Sequence, residues 1–406
     1  MMKDISDIRA DFPILSTKVY GKPLIYFDNG ATTQKPRCVI DTVNEVLTSY
    51  NGNIHRGAHA LSDKASLEYE NAREKVRAFI NGGKKEEIIF TSGTTGSINL
   101  VAFSFGERYI NKGDEVIISH LEHHANIVPW QMMCERKGAR LKVIPINDKG
   151  EIIFGEYLNM LSPKTRIVAV TQASNALGTI VPVKKIIDAA HSLNIPVLID
   201  GAQGIQHGKV DMESLDCDFY VFSGHKVYGP TGIGVLYGKT KWLLEMPPYQ
   251  GGGDMVENVT FEKTTYNELP YKFEAGTMNF PAAIGLGTAI DYVNSVGKDN
   301  IERREQELLS YATERFAGIR KLRIYGTSEM KISTISFLLE GVHQYDTGLI
   351  LDKLGIAVRT GTHCAQPVMD RFGISGTVRA SMCFYNTKEE IDILAEGIEK
   401  VVSMFL

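Results

Sequence analysis

The sequence predicts an α/β fold: a large domain on a mainly parallel, seven-stranded sheet, followed by a smaller α+β C-terminal domain. Three observations lead there. Short apolar runs recur seven times, at Glu87-Ile-Ile-Phe90, Val116-Ile-Ile118, Leu141-Lys-Val-Ile144, Ile167-Val-Ala-Val170, Val197-Leu-Ile199, Phe219-Tyr-Val-Phe222 and Ile233-Gly-Val-Leu236. Stretches long enough for a helix separate most of them, and apolar strands alternating with helices belong to a parallel sheet covered on both faces. After about residue 290 the texture changes to a long charged helix and a second set of strands.

Each element has its own signal. Ala65, Tyr69, Ala72, Val76 and Phe79 recur at helical spacing ahead of the first strand, and Val183 to Ser192 forms a helix-length stretch between the fourth and fifth. The charged helix runs from Ile301 to Phe316, strands follow near Leu322-Tyr325 and Thr334-Leu338, and a last helix starts at Lys388. The stretch from Gly251 to Asn279, rich in Gly, Thr, Glu and Tyr, has poor periodicity and reads as an active-site rim or a subunit contact. The expected division is an N-terminal segment 1–22 packing on the small domain, a large domain 23–290 and a small domain 291–406.

Composition narrows the function. With 43% hydrophobic and 23% charged residues the chain can bury a large core. The 44 basic side chains are offset by 48 acidic ones, and no Lys/Arg block marks a nucleic-acid footprint. The start, Met1-Met2-Lys3-Asp4-Ile5-Ser6-Asp7, is acidic where a secretory signal is basic and then apolar, and no stretch is apolar enough to span a bilayer, so a cytoplasmic location is expected. Cys38, Cys134, Cys217, Cys364 and Cys383 are odd in number and lack a C-x-x-C pair, which disfavours a disulfide framework or a cysteine-rich zinc site.

Chemistry concentrates at strand ends. Thr91-Ser-Gly-Thr-Thr95-Gly-Ser follows the first strand and reads either as a phosphate cradle at a helix start or as an ordinary Ser/Thr-capped turn. Asp200 ends the fifth strand, and Ser223-Gly-His225-Lys226 ends the sixth. Singly, these are a solvated acid, a capping serine and a surface lysine. Together they fit pyridoxal phosphate, which needs an amine for its imine, a carboxylate beside the pyridine nitrogen and donors for the phosphate. His123, in Glu122-His123-His124, can stack on a flat ring. A metal reading of that triplet is poor, because adjacent residues rarely point at one ion. Cys364 lies in Arg359-Thr-Gly-Thr-His363-Cys364-Ala, where positive neighbours would favour the thiolate, although burial as an inert thiol is the commoner fate of a cysteine. Arg379, inside the apolar Thr377-Val-Arg-Ala-Ser381, calls for a buried carboxylate partner and has the fork that suits a substrate α-carboxylate.

Taken in order, Thr91-Ser-Gly-Thr-Thr95, Glu122-His-His124, Asp200-Gly-Ala-Gln203, Ser223-Gly-His-Lys226, Gly251-Gly-Gly-Asp-Met255 and Arg359-Thr-Gly-Thr-His-Cys364-Ala resemble the cysteine desulfurases of class V aminotransferase descent, above all the SufS branch. The resemblance runs from about Asp11 to the C-terminus. It implies the fold of PLP-dependent transferases of fold type I. It also implies that Lys226 binds the cofactor covalently, that Asp200 pairs with the pyridinium nitrogen, that Gln203 hydrogen-bonds the ring hydroxyl and that His123 stacks on the ring. Thr95, Ser223 and His225 would hold the phosphate, with Thr277 supplied by the second subunit of a homodimer. Arg379, helped by Asn175, Arg359 and His55, would bind the substrate. Lys226 would move the Cα proton and Cys364 would take the sulfur of L-cysteine as a persulfide, leaving alanine. A SufE-like or SufU-like acceptor protein would carry the sulfur to iron–sulfur cluster assembly.

The chain departs from many members of that branch in having Thr362 rather than His beside His363-Cys364, which bears on the tuning of the thiol and the choice of acceptor. Selenocysteine lyase is an alternative, because the two substrates differ by one chalcogen atom. A transaminase or a kynureninase-like hydrolase on the same scaffold would keep Lys226 and Asp200 but would have no use for the thiol.

Overall fold

The computed structural model describes residues 5–405; residues 1–4, which carry part of the acidic start noted in the sequence, lie outside the described residues. The seven apolar runs form one sheet. Its strands are β1 (Ile88–Thr91), β2 (Glu115–Ser119), β3 (Arg140–Ile144), β4 (Thr165–Thr171), β5 (Val197–Asp200), β6 (Phe219–Ser223) and β7 (Gly234–Gly238), in the spatial order β1-β7-β6-β5-β4-β2-β3. Only β7 runs against its neighbours, pairing antiparallel with both β1 and β6. Its direction follows from the short β6–β7 connection, too short to hold the crossover that a parallel pair requires.

Alternation along the strands explains why they are apolar throughout. Ile117, Val168, Val170 and Ile199 pack into one core, whereas Val116, Ile118, Ile167, Ala169 and Leu198 pack into another on the opposite face. Helices Phe280–Val296 and Val183–His191 cover the first face, and Thr94–Tyr109 with Val128–Lys137 covers the second.

The C-terminal part is a four-stranded antiparallel sheet, β8 (Leu322–Tyr325), β9 (Thr334–Leu339), β10 (Arg359–Gly361) and β11 (Thr377–Ser381), ordered β8-β9-β11-β10. Helices Lys298–Ala317 and Lys388–Phe405 pack on it through Leu308, Phe316, Leu394 and Ile398. Near the N-terminus, Phe12 packs among Tyr228, Tyr292, Phe384 and Tyr385, while Arg9 forms an ion pair with Glu390 at 2.9 Å. The chain then pairs Ile25–Tyr26 in parallel with Ile356–Ala357, which carries Asp28 to the edge of β11. The rim segment 251–279 holds a two-stranded ribbon, Val256–Val259 with Thr264–Tyr266, too short and too exposed to have shown a period.

Candidate active site

The ends of five strands, β1, β2, β4, β5 and β6, and two strands and a loop of the small sheet converge on a cleft of about 200 Å³ lined by Thr95, His123, Asn175, Asp200, Gln203, Ser223, His225, Lys226, Arg359, His363, Cys364 and Arg379, among others. All but two of the residues expected to bind cofactor or substrate or to carry the chemistry meet there. The exceptions within this chain are Thr277, which lines a separate cavity with Thr91, Ser92 and Gly96, and His55, which sits edge-on to the Tyr69 and Tyr271 rings.

Lys226 ends a short turn, Gly224–Lys226, directly after β6. Loss of water pulls its amine down from 10.5 to about 8. Arg379 and Arg359 act in the same direction, and Asp200 opposes them. Asp200, the last residue of β5, is buried and accepts a 2.9 Å hydrogen bond from the Ala202 N–H; burial raises its pKa, with that bond and Lys226 acting against it. The next residue must be glycine, because a Cβ at Gly201 would lie 2.0 Å from the Tyr220 ring. Gln203 donates to the Gly30 carbonyl at 2.7 Å, and its buried side-chain oxygen has no partner among the described residues.

The Thr91–Thr95 segment is a helix start. Gly93 lies at φ +149° and provides no side-chain cap; the first N–H of the helix, from Thr94, is taken by Ser223 Oγ at 2.8 Å. Thr94, not singled out from the sequence, is thus tied to Ser223 by both its N–H and its hydroxyl. The other N–H groups of that first turn have no acceptor within the helix, and the positive end of the helix dipole favours an anion there.

His123 Nδ1 accepts from the Ala125 N–H at 3.0 Å, so the ring proton sits on Nε2; burial, then Lys226, lowers its pKa to about 4. Its neighbour Glu122 turns away into the core, accepting hydrogen bonds from Ser119, Asn126 and the Thr171 N–H, and burial raises its carboxyl to about 8. That orientation removes it from any shared ligand set with His123 and His124.

One expectation is overturned. His363 is not a positive neighbour of Cys364: it is buried, bonds Thr377 Oγ1 through Nε2 at 2.8 Å, and burial lowers its pKa to about 3, so it is neutral. Of the two neighbours named from the sequence, Arg359 alone carries charge at neutral pH. Cys364 is half-buried, unlike Cys134, Cys217 and Cys383, which are buried.

Arg379 finds the carboxylate it called for in Asp28, at 3.0 Å, and donates to the Asn175 carbonyl at 2.8 Å. Asp28 escaped the sequence reading, though it ends the apolar Ile25-Tyr-Phe27 run as Asp200 ends β5. Lys35, also missed, donates to the His225 carbonyl at 2.8 Å and so braces the residue before Lys226.

The fold and the cleft are those of a pyridoxal-phosphate-dependent enzyme, and the chain belongs to the class-V aminotransferase family, whose model matches residues 25–394. The residues fit that cofactor. A lysine of lowered pKa, a buried carboxylate, an unpartnered amide oxygen and an open helix start answer to its aldehyde, ring nitrogen, ring hydroxyl and phosphate.

Among curated relatives, the probable cysteine desulfurase 1 of Mycobacterium leprae is 52% identical over 398 residues, covering 98% of this chain and 65% of that protein. The cysteine desulfurase of Synechococcus elongatus is 51% identical, with 98% and 64% covered, so the chain spans less than two thirds of the length of these two. The cysteine desulfurase of Serratia proteamaculans is 47% identical, with 98% of each covered. Among solved structures, the cysteine desulfurase CsdA of Escherichia coli superposes with a TM-score of 0.92 at 37% identity over 100% of both chains.

Proposed function

We propose that this chain is a cysteine desulfurase of the SufS type that converts L-cysteine to L-alanine and passes the sulfur, as a persulfide on Cys364, to an acceptor protein for iron–sulfur cluster assembly. The observation that carries the reading is a half-buried thiol, Cys364, on the wall of the same cleft as Lys226, Asp200 and Arg379. A transaminase has no use for it.

In this reading Lys226 would bind the cofactor, with Asp200 for its pyridine nitrogen, Gln203 for its ring hydroxyl and His123 for its ring; Thr95, Ser223 and His225 would hold its phosphate. Bound pyridoxal phosphate supplies an electron sink that weakens the bonds at the substrate Cα and Cβ. Arg379 and Arg359 bind the substrate carboxylate through paired N–H donors, with Asn175 fixing the Arg379 plane through its carbonyl. Lys226 Nζ, once free, is a base poised near neutrality and takes the Cα proton. Cys364 Sγ attacks the substrate sulfur: an S–S bond forms, the Cβ–S bond breaks, and the carbon takes up a proton to become the methyl group of alanine.

Thr277 and His55 lie away from this cleft in their own chain, which suits delivery to the cleft of a second subunit in a homodimer. The same reading divides the chain into 1–22, 23–290 and 291–406, with the thiol carried by the last. Anaerobic incubation of the yellow holoenzyme with L-cysteine and a thiol reductant tests it. Equal sulfide and alanine from the parent, with neither from Cys364→Ala at unchanged cofactor absorbance, is expected. Undiminished turnover by Cys364→Ala would overturn it.

A further inference from the structure

The Cys364 loop is bent in a way its own residues do not favour. His363 and Cys364 both lie at φ +55°, two successive non-glycine residues in the left-handed region, where each pays a steric penalty. Such a conformation persists only if the surroundings hold it, and beside the His363–Thr377 bond within the small sheet, groups from the loops after β2 and β4 hold it. Asn175, in the loop after β4, donates to the His363 carbonyl at 2.6 Å. The His124 N–H, in the loop after β2, donates to the Cys364 carbonyl at 2.7 Å.

The His124 ring adds a third bond. Its Nε2 accepts the Gln366 N–H at 3.2 Å, an N–H in the first turn of helix Gln366–Phe372 that has no acceptor within the helix. His120 Nε2 then donates to the Pro367 carbonyl at 2.9 Å. Residues 363, 364, 366 and 367 are therefore each tied to the loops after β2 and β4, and the bond from the His124 ring is made by a side chain that is not among those lining the cleft.

We propose that His124 is a positioning residue for the sulfur-receiving thiol: its Nε2, kept as an acceptor by a proton on Nδ1, pins the backbone just past Cys364 and holds the strained loop in the orientation that directs Sγ into the cleft. The inference rests on the reading of Cys364 as nucleophile. Its bond acts on sulfur transfer and not on cysteine binding, which is the work of Arg379. Glutamine preserves the acceptor, because its Oε1 reaches about as far from the backbone as the histidine Nε2; leucine removes it.

The test compares parent, His124→Leu, His124→Gln and Cys364→Ala holoenzymes in three measurements: cofactor absorbance, kcat and KM for sulfide release from L-cysteine, and the rate of Cys364 alkylation by iodoacetamide without substrate. For His124→Leu we expect kcat to fall about five- to tenfold, the worth of one neutral hydrogen bond. KM and absorbance should stay parental, the alkylation rate should change by a similar factor, and His124→Gln should recover both rates. Parental kcat and alkylation in His124→Leu, or equal defects in the leucine and glutamine variants, would overturn the proposal. Cys364→Ala reports separately on the reading beneath it: if that variant still releases sulfide, the nucleophile assignment fails whatever the His124 variants do.

Discussion

The guanidinium of Arg379 is held 3.0 Å from the carboxylate of Asp28, and the second oxygen of that carboxylate lies 3.8 Å from Arg359. One acid thus sits between the two arginines of the cleft. Arg379 is almost wholly buried, and Asp28 is 22% exposed in its side chain. Removing the acid strands a buried cation. Asp28→Asn should lower stability by about 2 kcal/mol, less than for a fully enclosed pair because water still reaches Asp28, read as a drop in denaturant midpoint at unchanged slope.

Arg379→Lys keeps the charge but loses the planar fork. The expected result is a rise in KM for cysteine of about tenfold or more, with cofactor absorbance retained. An unchanged KM would remove Arg379 from the substrate site.

With Lys226 in its proposed role, its amine sets the pH at which the cofactor-free protein captures pyridoxal phosphate. The neutral amine is the reacting form, and its pKa of about 8 lies below the ordinary 10.5. The capture rate, followed by absorbance, should therefore rise with pH and level off above about pH 8. A rate still climbing beyond about pH 10 would show an ordinary, solvated lysine.

Three histidines, His363 buried and His123 and His225 half-buried, should make the protein sensitive to acid. Burial lowers His123 and His225 to about 4 and His363 to about 3, from 6.5. Between those values the unfolded chain binds protons that the native state refuses, so stability is full above 6.5 and declines as pH falls. The denaturant midpoint should drop from pH 7 to pH 5, and His363→Gln should flatten that dependence.

Behind β1, Glu274 accepts from Arg73 at 2.6 and 2.9 Å, from the Tyr69 hydroxyl at 2.8 Å and from the Phe90 N–H at 2.7 Å, all buried. Glu274→Gln leaves Arg73 enclosed without its main counter-charge. A loss of about 3 kcal/mol is expected in chemical denaturation.

The sequence by itself determined the sheet, because its strands are buried on both faces and therefore read as unbroken apolar runs, and it determined the residues that end those strands, because a polar group directly after such a run has to leave the core. Asp200, Ser223 and Lys226 were legible on that ground, and Arg379 as a charge inside an apolar strand. Tertiary structure decided the rest. The partner of Arg379 is Asp28, 351 residues away, brought near by the pairing of Ile25–Tyr26 with Ile356–Ala357. The neutrality of His363 depends on how completely the fold takes it out of water, and no neighbour in the chain encodes that. The hold of His124 on the Cys364 loop joins residues more than two hundred positions apart, a juxtaposition that comes into being only when the small sheet closes over the ends of β2 and β4.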